Sequence, residues 1–172
     1  MIKILGISGS LRANSSATSV LKQAATFLPA EVEFSIYDGL GNLPHFNDSN
    51  NVPPEVLDFR NKVAMSDGIF ICTPEYAFGV PGTLKNALDW TVGTGEFDGK
   101  PVALITASTG GEKAHASLLL TLKAISANVD ERATLLISFI RSKLNEKKEI
   151  ADPVTLGLIK DLLKVFVDII RQ

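Results

Sequence analysis

Thiols and imidazoles are almost missing from this chain: one cysteine, Cys72, and two histidines, His45 and His115, stand among 172 residues. A lone cysteine makes no internal disulfide, and this set is too small for the Cys/His groupings of structural zinc, so no metal site is expected. A basic excess is lacking as well. Seventeen Lys and Arg face nineteen Asp and Glu, a formal charge of −2, and general nucleic-acid binding needs a basic face. Long apolar runs are absent too, so no segment is expected to cross a bilayer. The opening "MIKILGISGS" turns polar before the apolar core and cleavage site of a signal peptide would be complete. These absences predict a cytoplasmic, reducing setting, with no nucleic-acid partner and no membrane span.

What is present is a globular composition, 45% hydrophobic and 21% charged, at a length that suits one domain spanning residues 1–172. Four apolar runs, Ile2 to Ile7, Gly68 to Thr73, Val102 to Ala107 and Thr134 to Phe139, predict strands. Unbroken runs such as "GIFICT" and "VALITA" suit strands buried on both faces of a parallel sheet. The alternating "VEFSIY", Val32 to Tyr37, suits an edge.

Helical spacing fills the intervals. It is carried by Val20, Leu21, Ala24 and Leu28; by Val56, Phe59 and Val63; by Leu84, Ala87 and Leu88; by Leu118, Leu122, Ile125 and Val129; and by Leu156, Ile159, Leu163, Phe166 and Ile170. Asp152-Pro153 supplies an N-cap and first helical residue for the last. Five strand–helix repeats with right-handed crossovers predict an α/β three-layer sandwich. Its five-stranded parallel sheet takes the flavodoxin-like order 2-1-3-4-5. The stretch from Asp38 to Pro54 is expected to be a surface loop, and "RSKLNEKKEIADP" a charged surface connection.

In such a sheet a ligand sits beyond the carboxyl ends of the strands where the order reverses. That selects loops 8–16, 73–82 and 106–113. The first, "SGSLRANSS", leads into a helix N-terminus, which favours an anion. Ser10, Ser15, Ser16 and Arg12 can add donors. No G-x-x-x-x-G-K-[ST] and no G-x-G-x-x-G is present, which argues against a triphosphate cradle and a close dinucleotide turn. No cysteine stands here to serve a phosphatase, and the acidic cluster of a phosphoacceptor domain is missing. A phosphate held but not cleaved remains, beside the plainer reading of a serine-rich helix cap. The second loop begins "PEYAFGVPG" and places Tyr76 and Phe78 in a turn shaped by proline and glycine. The third, "ASTGGEKAH", ends β-structure with small residues that let a ring approach the backbone.

The strings "GSLRANSS" (9–16), "PEYAFGVPGTLKNALDW" (74–90) and "ASTGG" (107–111) resemble the NADPH-dependent FMN reductase family of quinone, chromate and azo-dye reductases. The resemblance implies bound FMN and NADPH or NADH as hydride donor. It assigns the phosphate to Ser10, Arg12, Ser15 and Ser16. It sets Pro74, Glu75, Tyr76, Ala77 and Phe78 along the flavin ring, and Ser108, Thr109, Gly110 and Gly111 beside its pyrimidine edge or ribityl chain. No side chain is assigned as a catalytic acid or base. A small-molecule electron acceptor is implied, along with a homodimer or homotetramer whose second subunit roofs the flavin.

The chain departs from the family pattern at Ala17, where asparagine is common, and at Ala77 and Gly79, which replace a polar pair. For the missing asparagine, Ser16 or Thr18 is the expected substitute. Two other readings stay open: a flavodoxin-like electron carrier without dehydrogenase activity, and an interaction module that has lost its cofactor. Glu75 is expected to order its loop, Cys72 to fill the core, His115 to be a polar residue of the fourth helix, and Trp90 and Leu84 to be core residues.

Overall fold

The computed structural model describes all residues from Met1 to Gln172. Five parallel strands, β1 (Ile2–Ser8), β2 (Val32–Ile36), β3 (Gly68–Thr73), β4 (Val102–Ala107) and β5 (Thr134–Ile137), form one sheet in the order β2-β1-β3-β4-β5. Five helices alternate with them: α1 (Ser16–Ala25), α2 (Pro54–Ala64), α3 (Gly82–Asp89), α4 (Glu112–Ala124) and α5 (Pro153–Ile170). None is long and apolar enough to cross a membrane.

The layers follow from the strand sequences. Every residue of β3 and β4 is buried, because helices cover both faces of the central strands. One core joins the sheet to α2, α3 and α4 through Ile69, Ile71, Val56, Leu84 and Leu118. The other joins it to α1 and α5 through Phe70, Cys72, Val20, Leu21 and Phe166. Each fully buried Leu, Ile, Val or Phe stabilises the fold by roughly 1.5–3 kcal/mol. At the edge, β2 turns Val32, Phe34 and Ile36 inward and exposes Glu33 and Ser35.

Four expectations need correction. β5 stops at Ile137, two residues early, because Phe139 takes a left-handed φ of 53° and a short 3-10 turn, Ile140–Lys143, follows. α4 ends at Ala124, and left-handed Ser126 carries Val129 beyond it. The stretch after Asp38 is not all surface: it buries Leu40 and Leu43, and the Pro44 carbonyl accepts from Trp90 Nε1 and Asn86 Nδ2, each at 2.9 Å. The segment after Ile140 is also more than a charged connection. Ile140 and Ile150 are buried in the α1/α5 core; the Gln23 side-chain Nε2 donates to the Ile150 carbonyl at 3.0 Å, and its Oε1 accepts from the Ile150 amide at 2.6 Å.

Candidate flavin-nucleotide site

The three loops meet at the carboxyl ends of β1, β3 and β4, where β1 lies between β2 and β3 and the order reverses. Their closeness begins at Gly9. Its amide donates to the Cys72 carbonyl at 2.8 Å, and a Cβ there would stand 2.3 Å from Thr73 Oγ1. Glycine is what lets the first loop lie against the end of β3.

Ser15 caps α1: its hydroxyl accepts from Thr18 N at 3.0 Å. Capping leaves the amides of Ser16 and Ala17, at the start of the helix, without backbone acceptors. Both residues line a cavity of about 120 Å³. Its walls also include Arg12, Pro74, Glu75, Tyr76, Ser108 and Thr109. Ligand pockets commonly run to about 300–1,000 Å³, so this one has room for a phosphate-sized group and not for a flat ring system. A depression of about 270 Å³ beside β2 and α2, lined by Lys3, Glu33 and Lys62 among others, mixes both charges and has no helix N-terminus aimed into it.

The second loop is a rigid turn. Tyr76 and Gly79 exchange backbone hydrogen bonds at 3.0 and 2.9 Å, while Ala77 and Phe78 both take left-handed φ, 48° and 60°. That is the geometry of a tight turn that favours Asn-Gly. Two side-chain-bearing residues hold it here, at a cost of about 1 kcal/mol each. The turn leaves the Ala77 and Phe78 amides without protein acceptors and lifts the Phe78 ring to 80% exposure. Tyr76 Oη lies 3.2 Å from Ser10 Oγ and ties this loop to the first.

Glu75 ties it to the third. Its carboxylate accepts from Gly111 N at 3.3 Å and from Ala114 N at 2.9 Å, capping α4, whose own N-cap Gly111 offers no side chain. Gly111 has φ 112°, and a Cβ there would stand 2.7 Å from Leu136 Cδ1. His115 Nδ1 lies 2.9 Å from Thr106 Oγ1, and burial holds its imidazole below the ordinary pKa. Burial pushes the Cys72 thiol well above the usual range, so it is an inert core group.

Of the expected site residues, Arg12, Ser15, Ser16, Pro74, Glu75, Tyr76, Ser108 and Thr109 line the cavity. Ser10 lies behind the wall, 6% exposed, accepting from Arg12 N at 3.3 Å. Ala77 and Phe78 stand on the rim-side turn, and Gly110 and Gly111 lead into α4; none of the four is in the cavity wall. Thr18 is no substitute for the asparagine absent at position 17, because its hydroxyl is held 2.7 Å from both Ser8 Oγ and Ser15 Oγ. Ile140 and Arg141, which sequence reasoning passed over, complete the wall. Trp90 and Leu84 are core residues, 1% and 0% exposed.

The residues fit an FMN phosphate end. Unpaired helix amides, hydroxyls and a guanidinium line a small cavity, and free backbone donors stand at the adjoining turn.

Comparison with known proteins agrees. The chain is 31% identical over 171 residues to an NAD(P)H-dependent FMN reductase of Pseudomonas aeruginosa, covering 95% of this chain and 92% of that one. It is 27% identical to a quinone reductase of Escherichia coli, over 99% and 96% of the two chains. A flavoenzyme NAD(P)H:(acceptor) oxidoreductase of Paracoccus denitrificans superposes with a TM-score of 0.87 at 27% identity, over 99% and 98%. Residues 2–141 match the model of the family described as NADPH-dependent FMN reductase. The chain belongs to the NADPH-dependent FMN reductase family.

Proposed function

We propose that this protein is an NAD(P)H-dependent flavin/quinone oxidoreductase in which residues 1–172 form one FMN-binding domain. The observation that carries the reading is the convergence of three loops on one cavity, with the first-turn amides of α1 and Arg12 in its wall. Arg12 and Ser16 with the α1 amides hold the phosphate, Ser15 caps the helix that presents those amides, and Ser10 supports Arg12 from behind. Ser108 and Thr109 border the ribityl side. The turn at Pro74–Phe78 carries the ring on its backbone, with the free amides of Ala77 and Phe78 directed to ring heteroatoms.

Bound FMN supplies hydride acceptance from the nicotinamide and its transfer onward to an acceptor. The protein's part is to position and to stabilise. The free amides of Ala77 and Phe78, held in place by the Tyr76–Gly79 pair, would stabilise negative charge on a bound ring without reorganisation. No side chain at the site is required to transfer a proton. The acceptor is a small oxidant such as a quinone, free flavin, chromate or azo compound.

A homodimer or homotetramer would set a second copy over the open ring site, beside the Phe78 ring, which is 80% exposed on the second loop. A cytoplasmic location is consistent with one buried cysteine.

The test is the visible spectrum of the purified or FMN-reconstituted protein, followed by NADH and NADPH oxidation with a quinone. Flavin absorbance and quinone-dependent turnover are expected. FMN that neither pyridine nucleotide bleaches would mark an electron carrier instead, and failure to take up FMN would reject both readings.

A further inference from the structure

Arg141 reaches the cavity from outside the three loops, and its placement is built rather than incidental. Ile140 is anchored in the α1/α5 core, 3% exposed. Left-handed Phe139 turns the chain, and its amide donates to the Thr109 carbonyl at 3.0 Å. The Ile140 amide donates to the Ser108 carbonyl at 3.0 Å, and Ser138 Oγ donates to the Gly110 carbonyl at 3.1 Å. Farther along, Lys148 Nζ donates to the Asn14 carbonyl at 3.2 Å. The segment is stitched to the third loop at one end and to the first loop at the other, and Arg141 stands between those attachments in the cavity wall.

Two arginines, Arg12 and Arg141, therefore line one small cavity, and neither guanidinium has a carboxylate within 4.0 Å. The one acidic residue in the wall, Glu75, has its carboxylate engaged by the Gly111 and Ala114 amides. Both arginines are exposed and unopposed by a carboxylate, so an anion of more than one charge in this cavity is attracted by both. A phosphate monoester carries about −1.5 to −2 at neutral pH.

We propose that Arg141 is the second cation of the phosphate clamp, sharing the FMN 5′-phosphate with Arg12. The proposal rests on the FMN reading above. It also accounts for Ala17: the donor missing at position 17 is replaced from the far end of the chain rather than by Thr18, whose hydroxyl is already bonded. Charge-assisted bonds of this kind are about twice as strong as neutral ones.

The test titrates flavin-free protein with FMN and, separately, with riboflavin, following quenching of flavin fluorescence. Arg141→Ala is expected to weaken FMN binding about tenfold or more and to leave riboflavin binding unchanged. Arg141→Lys should recover part of the loss, and raising salt should erode wild-type affinity more than that of the alanine variant. Arg12→Ala serves as the reference, and circular dichroism checks that each variant is folded; Arg141→Gln replaces alanine if that variant is not.

If wild-type protein binds no FMN, the flavin reading fails and takes the proposal with it. If FMN binds and Arg12→Ala weakens it while Arg141→Ala does not, only the proposal falls. Equal losses for FMN and riboflavin would also overturn it. So would an unchanged FMN affinity accompanied by a raised KM for NADPH, which would assign Arg141 to the dinucleotide.

Discussion

The carboxylate of Glu75, at the end of β3, accepts the Ala114 amide of α4 at 2.9 Å and so caps a helix thirty-nine residues away in sequence. The Gly111 amide, at 3.3 Å, shares the same carboxylate. This joins the second loop to the third, and it places a negative charge at the positive end of a helix dipole. A residue that looks like a catalytic acid is a positioning residue.

Glu75→Ala removes both bonds and the cap. Loss of about 1–2 kcal/mol in stability is expected by urea denaturation, together with weaker FMN binding as the third loop loosens. Glu75→Gln keeps one amide acceptor and should fall between. Wild-type stability and FMN affinity in Glu75→Ala would remove the capping role.

The left-handed pair Ala77-Phe78 yields a second expectation. Ala77→Gly relieves backbone strain, and a gain of about 0.5–1 kcal/mol is expected in the midpoint of thermal or urea unfolding. Phe78→Gly should gain similarly, because its ring is exposed and little packing is lost. A loss of stability in both variants would show that the turn is not strained.

His115 sets an acid-side dependence. Burial lowers its folded-state pKa, so the unfolded chain takes up the proton first as pH falls below about 6.5. Stability from this group is complete above that pH and declines as pH drops toward the folded-state value. Unfolding measured at pH 7.5 and pH 5 should show a smaller difference in His115→Gln than in wild type. An unchanged difference would place the dependence elsewhere.

Trp90→Phe tests the anchoring of the loop after Asp38. The variant loses the Nε1 bond to the Pro44 carbonyl, but Asn86 Nδ2 still donates there at 2.9 Å. Because that acceptor stays satisfied, the cost from the lost bond is expected to be about 1 kcal/mol. The Phe46 ring, edge-on to Trp90 at 5.2 Å, should remain in place. In the double variant Trp90→Phe/Asn86→Ala the carbonyl loses both donors, and a more-than-additive loss is expected in urea unfolding.

The strands and helices were legible because burial on two faces writes itself as "GIFICT" and "VALITA", and amphipathic helices repeat at fixed spacing. The strand order followed from chain direction and crossover handedness, and the strand order located the ligand loops. The local strings around Arg12, Tyr76 and Gly110 were equally visible, because serine, proline and glycine cluster in them where a strand hands over to a helix.

What stayed hidden was which individual side chains meet across the assembled sheet. Periodicity and local composition set the sheet, its order and the three loops at its carboxyl edge. The assembled fold adds that Glu75 caps α4, that Thr18 is bonded within the first loop, and that Ile140 in the core brings Arg141 to the same cavity as Arg12. Those facts are set by side-chain reach across the assembled sheet. No spacing in the chain encodes which distant backbone a charged side chain will find.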